Sequence, residues 1–400
     1  MILKMSNERL LAWLIGFLSI YTYFSQLGIF LSFFSQIRII IYPIIYLMGL
    51  VIYKRYINYK RSFILFCISF YIIFIDYVFF PDGFHYLVQS SFTNGGILLS
   101  DLFFFYFISL PAFFVGIHRL DCDVFLKECA DIGVVNIVLF LISFSSMAFV
   151  YNISFDYMNV AYAVTPWVLF TLGFAKKNNR KLYLILSIIG LTFICVSGCR
   201  GAAVCCGLYI ALMFVSKMNR VNVKSLITIF VVIIIAAIAV IYLQKIVTFM
   251  YNLLLTFGFK SRILELYLGI GFEKGLGHYS DRSAIQIPLI ENINILGHGI
   301  YGDRIIAGAY AHNVLLEWLI DFGIFIGGIL CIWLVSRLVR GIVQIFRTQK
   351  NSEKVVLSVV ISILSCKYMV SASYLHAPEF WMFLGLLIAL TSTYREEKNW

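Results

Sequence analysis

Apolar residues in this chain come in runs long enough to cross a lipid bilayer, and nothing else in the sequence constrains its fold as tightly. A spanning helix needs roughly 20 predominantly apolar residues to cover a hydrocarbon layer of about 30 Å. Runs of this kind fall near 10–30, 37–53, 62–80, 97–117, 132–152, 158–175, 182–197, 201–216, 225–245, 312–333, 355–373 and 380–394. Inside lipid every backbone polar group has to be satisfied within its own segment, so such runs predict helices. The pattern predicts an all-α, polytopic membrane protein of about 12 transmembrane helices, forming one integral membrane domain over residues 1–400. Composition excludes the soluble alternative. The chain is 62% hydrophobic and 13% charged, where soluble domains run at about 45–50% and about 25%.

Lysine and arginine fix the orientation. With the N-terminus in the cytoplasm, the inner segments hold Lys4 and Arg9, then Lys54, Arg55, Lys60 and Arg61, then Arg119 and Lys127. The series continues with Lys176, Lys177, Arg180 and Lys181, then Lys217, Arg220 and Lys224. It ends with Arg337, Arg340, Arg347, Lys350 and Lys354, then Arg395 and Lys398. The short outer connections at 81–96, 152–157 and 374–379 hold no cation. This is the positive-inside pattern, with both termini cytoplasmic. It also accounts for the net charge of +11, so no nucleic acid is expected as a partner. The nine cysteines show neither a disulfide framework nor metal spacing. Cys67, Cys195 and Cys366 sit in apolar runs and Cys205-Cys206 is a vicinal pair. No small-residue cleavage site follows the first apolar run, which therefore reads as a span and not as a signal peptide.

One connection, residues 246–311, is far longer than the rest and falls on the outer side. Loops of that length are uncommon and usually functional. Ser261–Leu268 and Ser283–Leu296 read as short helices within it. Its charges balance, with Lys260, Arg262, Lys274, Arg282 and Arg304 against Glu265, Glu273, Asp281, Glu291 and Asp303. A general cationic mat would not be balanced. Gly269, Gly271, Gly275 and Gly277 would let part of the loop move as a lid. No internal repeat is evident, which argues against an inverted-repeat transporter.

Ionisable residues within spans are costly and mark function by default. Asp76, Asp101 and Lys367 lie toward the outer ends of their spans, Arg200 at an outer turn, and Asp321 deeper. Their shared depth points to a polar cavity open outward, although an ion pair of Lys367 with Asp76 or Asp101, or snorkelling to the interface, would also account for them. Arg200 stands in Ser197-Gly198-Cys199-Arg200-Gly201, where glycines permit a sharp turn and the next helix begins. A guanidinium beside a helix N-terminus suits a phosphate or pyrophosphate; a lone arginine anchoring a helix end to headgroups is the plainer alternative. His312 and Asn313 open the tenth span, with Glu317 about one turn further in. A histidine there can orient or deprotonate a hydroxyl, or simply cap a helix. His278, His298 and His376 are also external, without the close spacing of a metal site. Tyr301, Tyr310, Trp318 and Trp381 would stack on sugar rings or belong to the interfacial aromatic belt.

Gly297-His298-Gly299-Ile300-Tyr301-Gly302-Asp303-Arg304, followed by Ala311-His312-Asn313-Val314-Leu315-Leu316-Glu317, resembles the C-terminal signature of bacterial oligosaccharide repeat-unit polymerases. These are the Wzy-type O-antigen and capsule polymerases, related to the O-antigen ligases. Ser197-Gly198-Cys199-Arg200-Gly201 resembles that family's "SGSRG" turn, with Cys199 in place of serine. Asp156-Tyr157-Met158 resembles its "YM" segment, with Pro166 following, and Ser280-Asp281-Arg282 resembles its "SGR" segment, with Asp281 in place of glycine. The motifs cover roughly residues 150–330.

The resemblance implies a GT-C-like, metal-independent membrane glycosyltransferase without a cofactor. Its donor and acceptor would be undecaprenyl-pyrophosphate-linked oligosaccharides at the periplasmic face of the inner membrane. The growing glycan would pass from its lipid pyrophosphate onto a new lipid-linked repeat unit. By the same resemblance, Arg200 and Arg282 would grip the donor pyrophosphate and His312 would position or deprotonate the acceptor hydroxyl. Arg304, Asn313, Glu317, Tyr157 and Asp156 would bind substrate around them. Asp281 beside Arg282 would offset part of that cation. A separate chain-length regulator and a flippase would be the partners. Two other readings stay open: a ligase that transfers the glycan to lipid A-core, and a lipid-linked oligosaccharide flippase or other transporter.

Overall fold

The computed structural model describes residues 6–27, 109–117, 120–149, 157–197, 199–216, 277–375 and 377–392, together with isolated positions within 47–82 and 245–268. Regular structure among them is all helical. In chain order the helices are α1 (Asn7–Leu27), α2 (Leu110–Ile117), α3 (Cys122–Phe149), α4 (Tyr157–Asn178), α5 (Lys181–Val196) and α6 (Arg200–Val215). After them come α7 (Gly277–Glu291), α8 (Gly302–Ala307), α9 (Val314–Phe322), α10 (Gly328–Arg347), α11 (Asn351–Ser362) and α12 (Pro378–Ser392). The wider turn Gly323–Gly327 leads into α10, and another, Ile363–Lys367, extends α11. Outside the long connection the described helices overlap the apolar runs, and two stretches, Met158–Asn178 and Val314–Arg347, are long and apolar enough to cross a membrane. The runs at 37–53 and 225–245 lie almost wholly outside the described residues, as does about half of 62–80; so do Asp76, Asp101, Gly269, Gly271, Gly275 and all of Ser261–Leu268 except its last residue. The second loop helix runs Gly277–Glu291, earlier than the expected Ser283–Leu296, and Gly277 begins it.

α11 is the axis of the bundle. It packs against α3, α4, α6, α10 and α12, and every residue from Val355 to Ser362 is buried. A helix apolar on all sides can only live inside such a bundle. Near its end Ser362 Oγ donates to the Ser358 carbonyl at 2.7 Å, which satisfies that buried hydroxyl within the helix. Small residues let neighbouring axes approach, as in membrane bundles. At the α2–α12 crossing a methyl on Gly385 would meet the Phe113 carbonyl at 2.5 Å, and one on Gly116 the Met382 carbonyl at 2.6 Å. Between α1 and α4 the buried Trp167 indole donates to Ser19 Oγ at 2.8 Å.

The bundle has two chemically different ends. At one, Glu8 and Arg9 reach the start of α3, where Arg9 Nη2 pairs with Glu128 at 2.7 Å and Glu8 accepts from Asp121 N at 3.2 Å. Lys177 at the end of α4 pairs with Asp123, and Lys354 donates to the Ser216 carbonyl at the end of α6. These are the ends that the lysine and arginine pattern assigns to one side. α10 shows what its flank requires: Leu334, Leu338, Gly341 and Ile345 face inward, while Ile329, Ile332, Val335, Val339, Val343 and Phe346 are exposed. A continuous exposed apolar stripe of this kind needs lipid or a partner to cover it.

Candidate functional site

At the opposite end the polypeptide is broken and rebuilt around α9. α9 stops at Phe322 because Gly323 takes φ 71°, a conformation L side chains rarely adopt. The break frees two helix carbonyls. His298 N donates to Ile320 O at 2.8 Å and Gly299 N to Asp321 O at 3.0 Å, while Ile324 N donates to Asn294 O at 2.9 Å. The loop backbone thus completes the broken helix, and it does so at very close range. A methyl on Gly297 (φ 85°) would lie 2.4 Å from Asp321 O, and one on Gly323 would lie 2.3 Å from Ile295 O. Beneath this crossing the loop carries a small core of its own, Leu289, Ala311, Leu316 and Ile320, joined by Ile285 and Ile306.

From the crossing the chain enters α8, which turns Asp303 and Arg304 inward toward α9. Arg304, Asp303, Glu317 and Asp321 are all buried. Arg304 Nη1 lies 2.9 Å from Asp303 Oδ1 and 3.5 Å from Glu317 Oε1, and its Nη2 donates to Ser373 Oγ at 3.4 Å. Ser373 Oγ donates to Glu317 Oε1, and Tyr374 N donates to Glu317 Oε2 at 3.2 Å. Tyr374 OH donates to Asp321 Oδ2 at 2.8 Å, and Asp303 Oδ2 accepts from Ala311 N at 2.8 Å. One guanidinium thereby serves carboxyl groups from α8 and α9, and the segment after α11 is tied to both. Burial works to lower the Arg304 pKa, but Asp303 and Glu317 outweigh it and the group stands above its ordinary value. Burial also pushes the Tyr374 phenol well above its usual range, with Asp321 and Glu317 adding to it, so the hydroxyl keeps its proton to donate.

His312 and Asn313 sit at the mouth of this network. Asn313 is the N-cap of α9: its Oδ1 accepts from Leu315 N at 2.9 Å and Leu316 N at 3.2 Å, the usual work of a short polar side chain there. His312 adopts φ 56° and its ring lies 3.9 Å, centroid to centroid, from that of Tyr310. Tyr310 links mouth and network, since Arg304 Cζ lies 6.0 Å from its ring and 4.6 Å from that of Tyr301. His298 is occupied elsewhere, its Nε2 lying 2.7 Å from the Asn292 carbonyl.

A second polar group stands where α4, α6 and the extension of α11 meet. Arg200 is the first residue of α6, whose N-cap Cys199 makes no side-chain cap. Gly201 lets that helix start press on α4, because a methyl there would fall 1.7 Å from Tyr162 OH. Lys367 Nζ lies 6.0 Å from the Tyr162 ring and pairs with Glu379, which also accepts from Tyr368 OH at 3.3 Å. Among the described residues Glu379 is the ion-pair partner of Lys367, and Asp76 and Asp101 lie outside them.

The structure brings Arg304, Asn313, Glu317 and His312 together. Arg200 and Tyr157 open α6 and α4, and Arg282 lies within α7; their side chains, all of Asp156, and His376 lie outside the described residues. Asp303, Ser373 and Tyr374 were not expected in the site. In the sequence Asp303 belongs to the Gly297–Arg304 run and is one of the balancing charges, while Ser373 closes the apolar run 355–373 and Tyr374 opens an outer connection. Among the described residues no three His, Cys, Asp or Glu side chains are placed to hold a metal ion. Comparison with protein-family models, curated proteins and solved structures finds no match to this chain.

Proposed function

We propose that the chain is a multi-pass protein of the bacterial inner membrane, with about twelve spans and both termini cytoplasmic. In this reading it polymerises a surface polysaccharide, O-antigen or capsule, from undecaprenyl-pyrophosphate-linked oligosaccharides at the periplasmic face. The observation that carries the proposal is the Gly297–Glu317 segment, whose glycines, Asp303, Arg304, Asn313 and Glu317 each have a definite structural role at one end of the bundle. Support for the membrane placement comes from the exposed apolar stripe of α10 and the gathering of cationic helix ends at the other side.

The chemistry follows from the charges. The acceptor hydroxyl attacks the anomeric carbon of the donor glycan, forming a new C–O bond as the bond to the pyrophosphate oxygen breaks. His312 takes the hydroxyl proton, and the lipid pyrophosphate leaves with the bonding electron pair. Arg200 and Arg282 hold the charge that develops there, the placement that lowers a barrier most effectively. The Arg304 network acts on position rather than on the reacting atoms, because it fixes α8 and the start of α9 and so keeps His312 and Asn313 in place.

Purified protein given defined lipid-pyrophosphate-linked repeat units, with divalent metal withheld, tests this directly. The expected product is a ladder of oligomers that is lost in Arg200→Ala and His312→Ala while their thermal unfolding is unchanged. Transfer onto added lipid A-core in place of a ladder would make the protein a ligase. Movement of the intact lipid across the bilayer, without any transfer, would make it a transporter.

A further inference from the structure

The residues at the mouth of the site, 310–313, are anchored from several elements at once. Ala311 N donates to Asp303 Oδ2 at 2.8 Å, and Ala311 O accepts from Gln286 Nε2 of α7 at 3.4 Å. Asn313 is fixed as the cap of α9, and Tyr310 OH donates to the Ser371 carbonyl, after α11, at 3.3 Å. Between these anchors His312 takes φ 56°, a left-handed backbone that residues with a Cβ rarely adopt. Such strain persists only where the surroundings over-determine it, and it gathers at functional sites. With the backbone held, the imidazole is left with its side-chain torsions. The Tyr310 ring stands against it, 3.9 Å away centroid to centroid at an interplanar angle of 45°. Arg304 Cζ lies 6.0 Å from the same tyrosine ring.

We propose that Tyr310 is the positioning residue of His312: its ring sets the imidazole at the mouth and favours the imidazolium that forms when the acceptor proton arrives. The inference rests on His312 being the base of the transfer proposed above. In that step the acceptor O–H bond breaks, its proton goes to an imidazole nitrogen, and its electron pair goes to the new bond at the anomeric carbon. The positive charge gained therefore appears on the imidazole. A cation within about 6 Å of a tyrosine ring centroid is attracted by the ring's negative face. The described charged and titratable groups on the surrounding elements are Tyr301 before α8, Asp303 and Arg304 on α8, Glu317 and Asp321 on α9, and Tyr374 after α11. Among its described side chains α7 adds none before Glu291 at its far end, and His298 is turned to the Asn292 carbonyl. Arg304 would oppose a second cation, but it pairs with Asp303 at 2.9 Å and faces Glu317 at 3.5 Å. The tyrosine ring is then left to set the sign.

The test is carbethoxylation of the full-length protein in detergent by diethylpyrocarbonate, which attacks the neutral imidazole. Modification of the peptide carrying His312 is followed by mass spectrometry from about pH 5 to about pH 8, the range in which histidine changes charge. No substrate is needed. Tyr310→Leu is expected to lower the midpoint, weakening proton binding by about threefold, the scale of an exposed cation–π contact. Its rate of ladder formation at saturating substrate should fall by about tenfold or more, with the half-saturating concentration unchanged. Tyr310→Phe keeps the ring and is expected to restore both midpoint and rate. Phenylalanines with increasing ring fluorination, placed at position 310 by nonsense suppression, keep the shape while draining the ring face, and should lower the midpoint stepwise. That series decides the matter where Tyr310→Leu does not fold. A midpoint indifferent to Tyr310→Leu and to fluorination would overturn the proposal. So would a Tyr310→Phe protein that matches Tyr310→Leu, which would give the role to the Ser371 hydrogen bond. A His312→Ala protein that still makes the ladder would overturn His312 as the base and leave the titration result standing, so the two failures are distinguishable.

Discussion

Arg304 holds together carboxyl groups from two helices, so its removal is the most costly single change at the site. Arg304→Ala would leave Asp303 and Glu317 buried without their cation, a loss of about 3–5 kcal/mol, read as a lower unfolding temperature in detergent. Arg304→Lys should recover only part of it, because an ammonium cannot reproduce the fork that meets Asp303, Glu317 and Ser373. Tyr374→Phe strips the donor from Asp321 and is expected to cost about 1–3 kcal/mol by the same measurement. A pH effect belongs to Cys122, whose thiol burial pushes up to about 12. The thiolate is the reactive form, so alkylation of a variant retaining only Cys122 should accelerate about tenfold per pH unit from pH 8 to pH 10, with no plateau. Some of these residues announced themselves in the sequence. Asn313 before an apolar run is a cap signal, and His312 and Glu317 follow from its register. Ser373 and Tyr374 did not, since they meet Glu317 and Asp321 across 53 to 57 residues of chain, and nothing local marks a polar pair as facing one distant helix.

Among the elements, the broken helix at α9–α10 carries the clearest structural test. Gly323→Ala would impose about 1–2 kcal/mol for the left-handed backbone alone and would place a methyl 2.3 Å from Ile295 O. Gly297→Ala meets the same objection from the other side, at 2.4 Å from Asp321 O. Either variant should lose much of its yield of folded protein and expose the 294–299 backbone to faster hydrogen exchange. Gly207→Ala is the control, because a methyl there meets nothing within 4 Å and alanine favours a helix interior; its unfolding temperature should be equal or higher. The contrast explains what could be read from the chain beforehand. Hydropathy and charged flanks placed α4, α5, α6 and α12 within a few residues, because transfer of apolar groups dominates those segments. The run 312–333 looked like one span because a glycine inside an apolar run carries no signal for its φ angle. Only the facing loop, with Gly297 pressed on Gly323, shows that the helix is interrupted and that the interruption builds the site.

For the molecule as a whole, the decisive quantity is which side of the membrane each end occupies. Six helix ends and their connections, from Glu8 through Asp121, Lys177, Ser216, Arg347 and Glu353, gather at one end, bound by ion pairs and hydrogen bonds. The network of Arg304, Glu317 and Tyr374 occupies the other. The proposed topology, in which lysine and arginine resist transfer, puts the first end in the cytoplasm. Single cysteines placed in a cysteine-free background at Leu296, which is 78% exposed, and at Asn178 and Gln349, which are exposed at the cationic end, report this directly. An impermeant maleimide applied to intact spheroplasts should label Leu296→Cys and spare Asn178→Cys and Gln349→Cys until the membrane is opened. The opposite pattern would put the site in the cytoplasm, where flipped lipid-linked oligosaccharides are not presented. The polymerase reading would then fail even if every hydrogen bond of the Arg304 network were correct. Labelling as expected would leave His312 facing the compartment where the proposed substrates would be presented. The functional proposal thus depends on one orientation, and this measurement can remove it even where the Arg304 network stands.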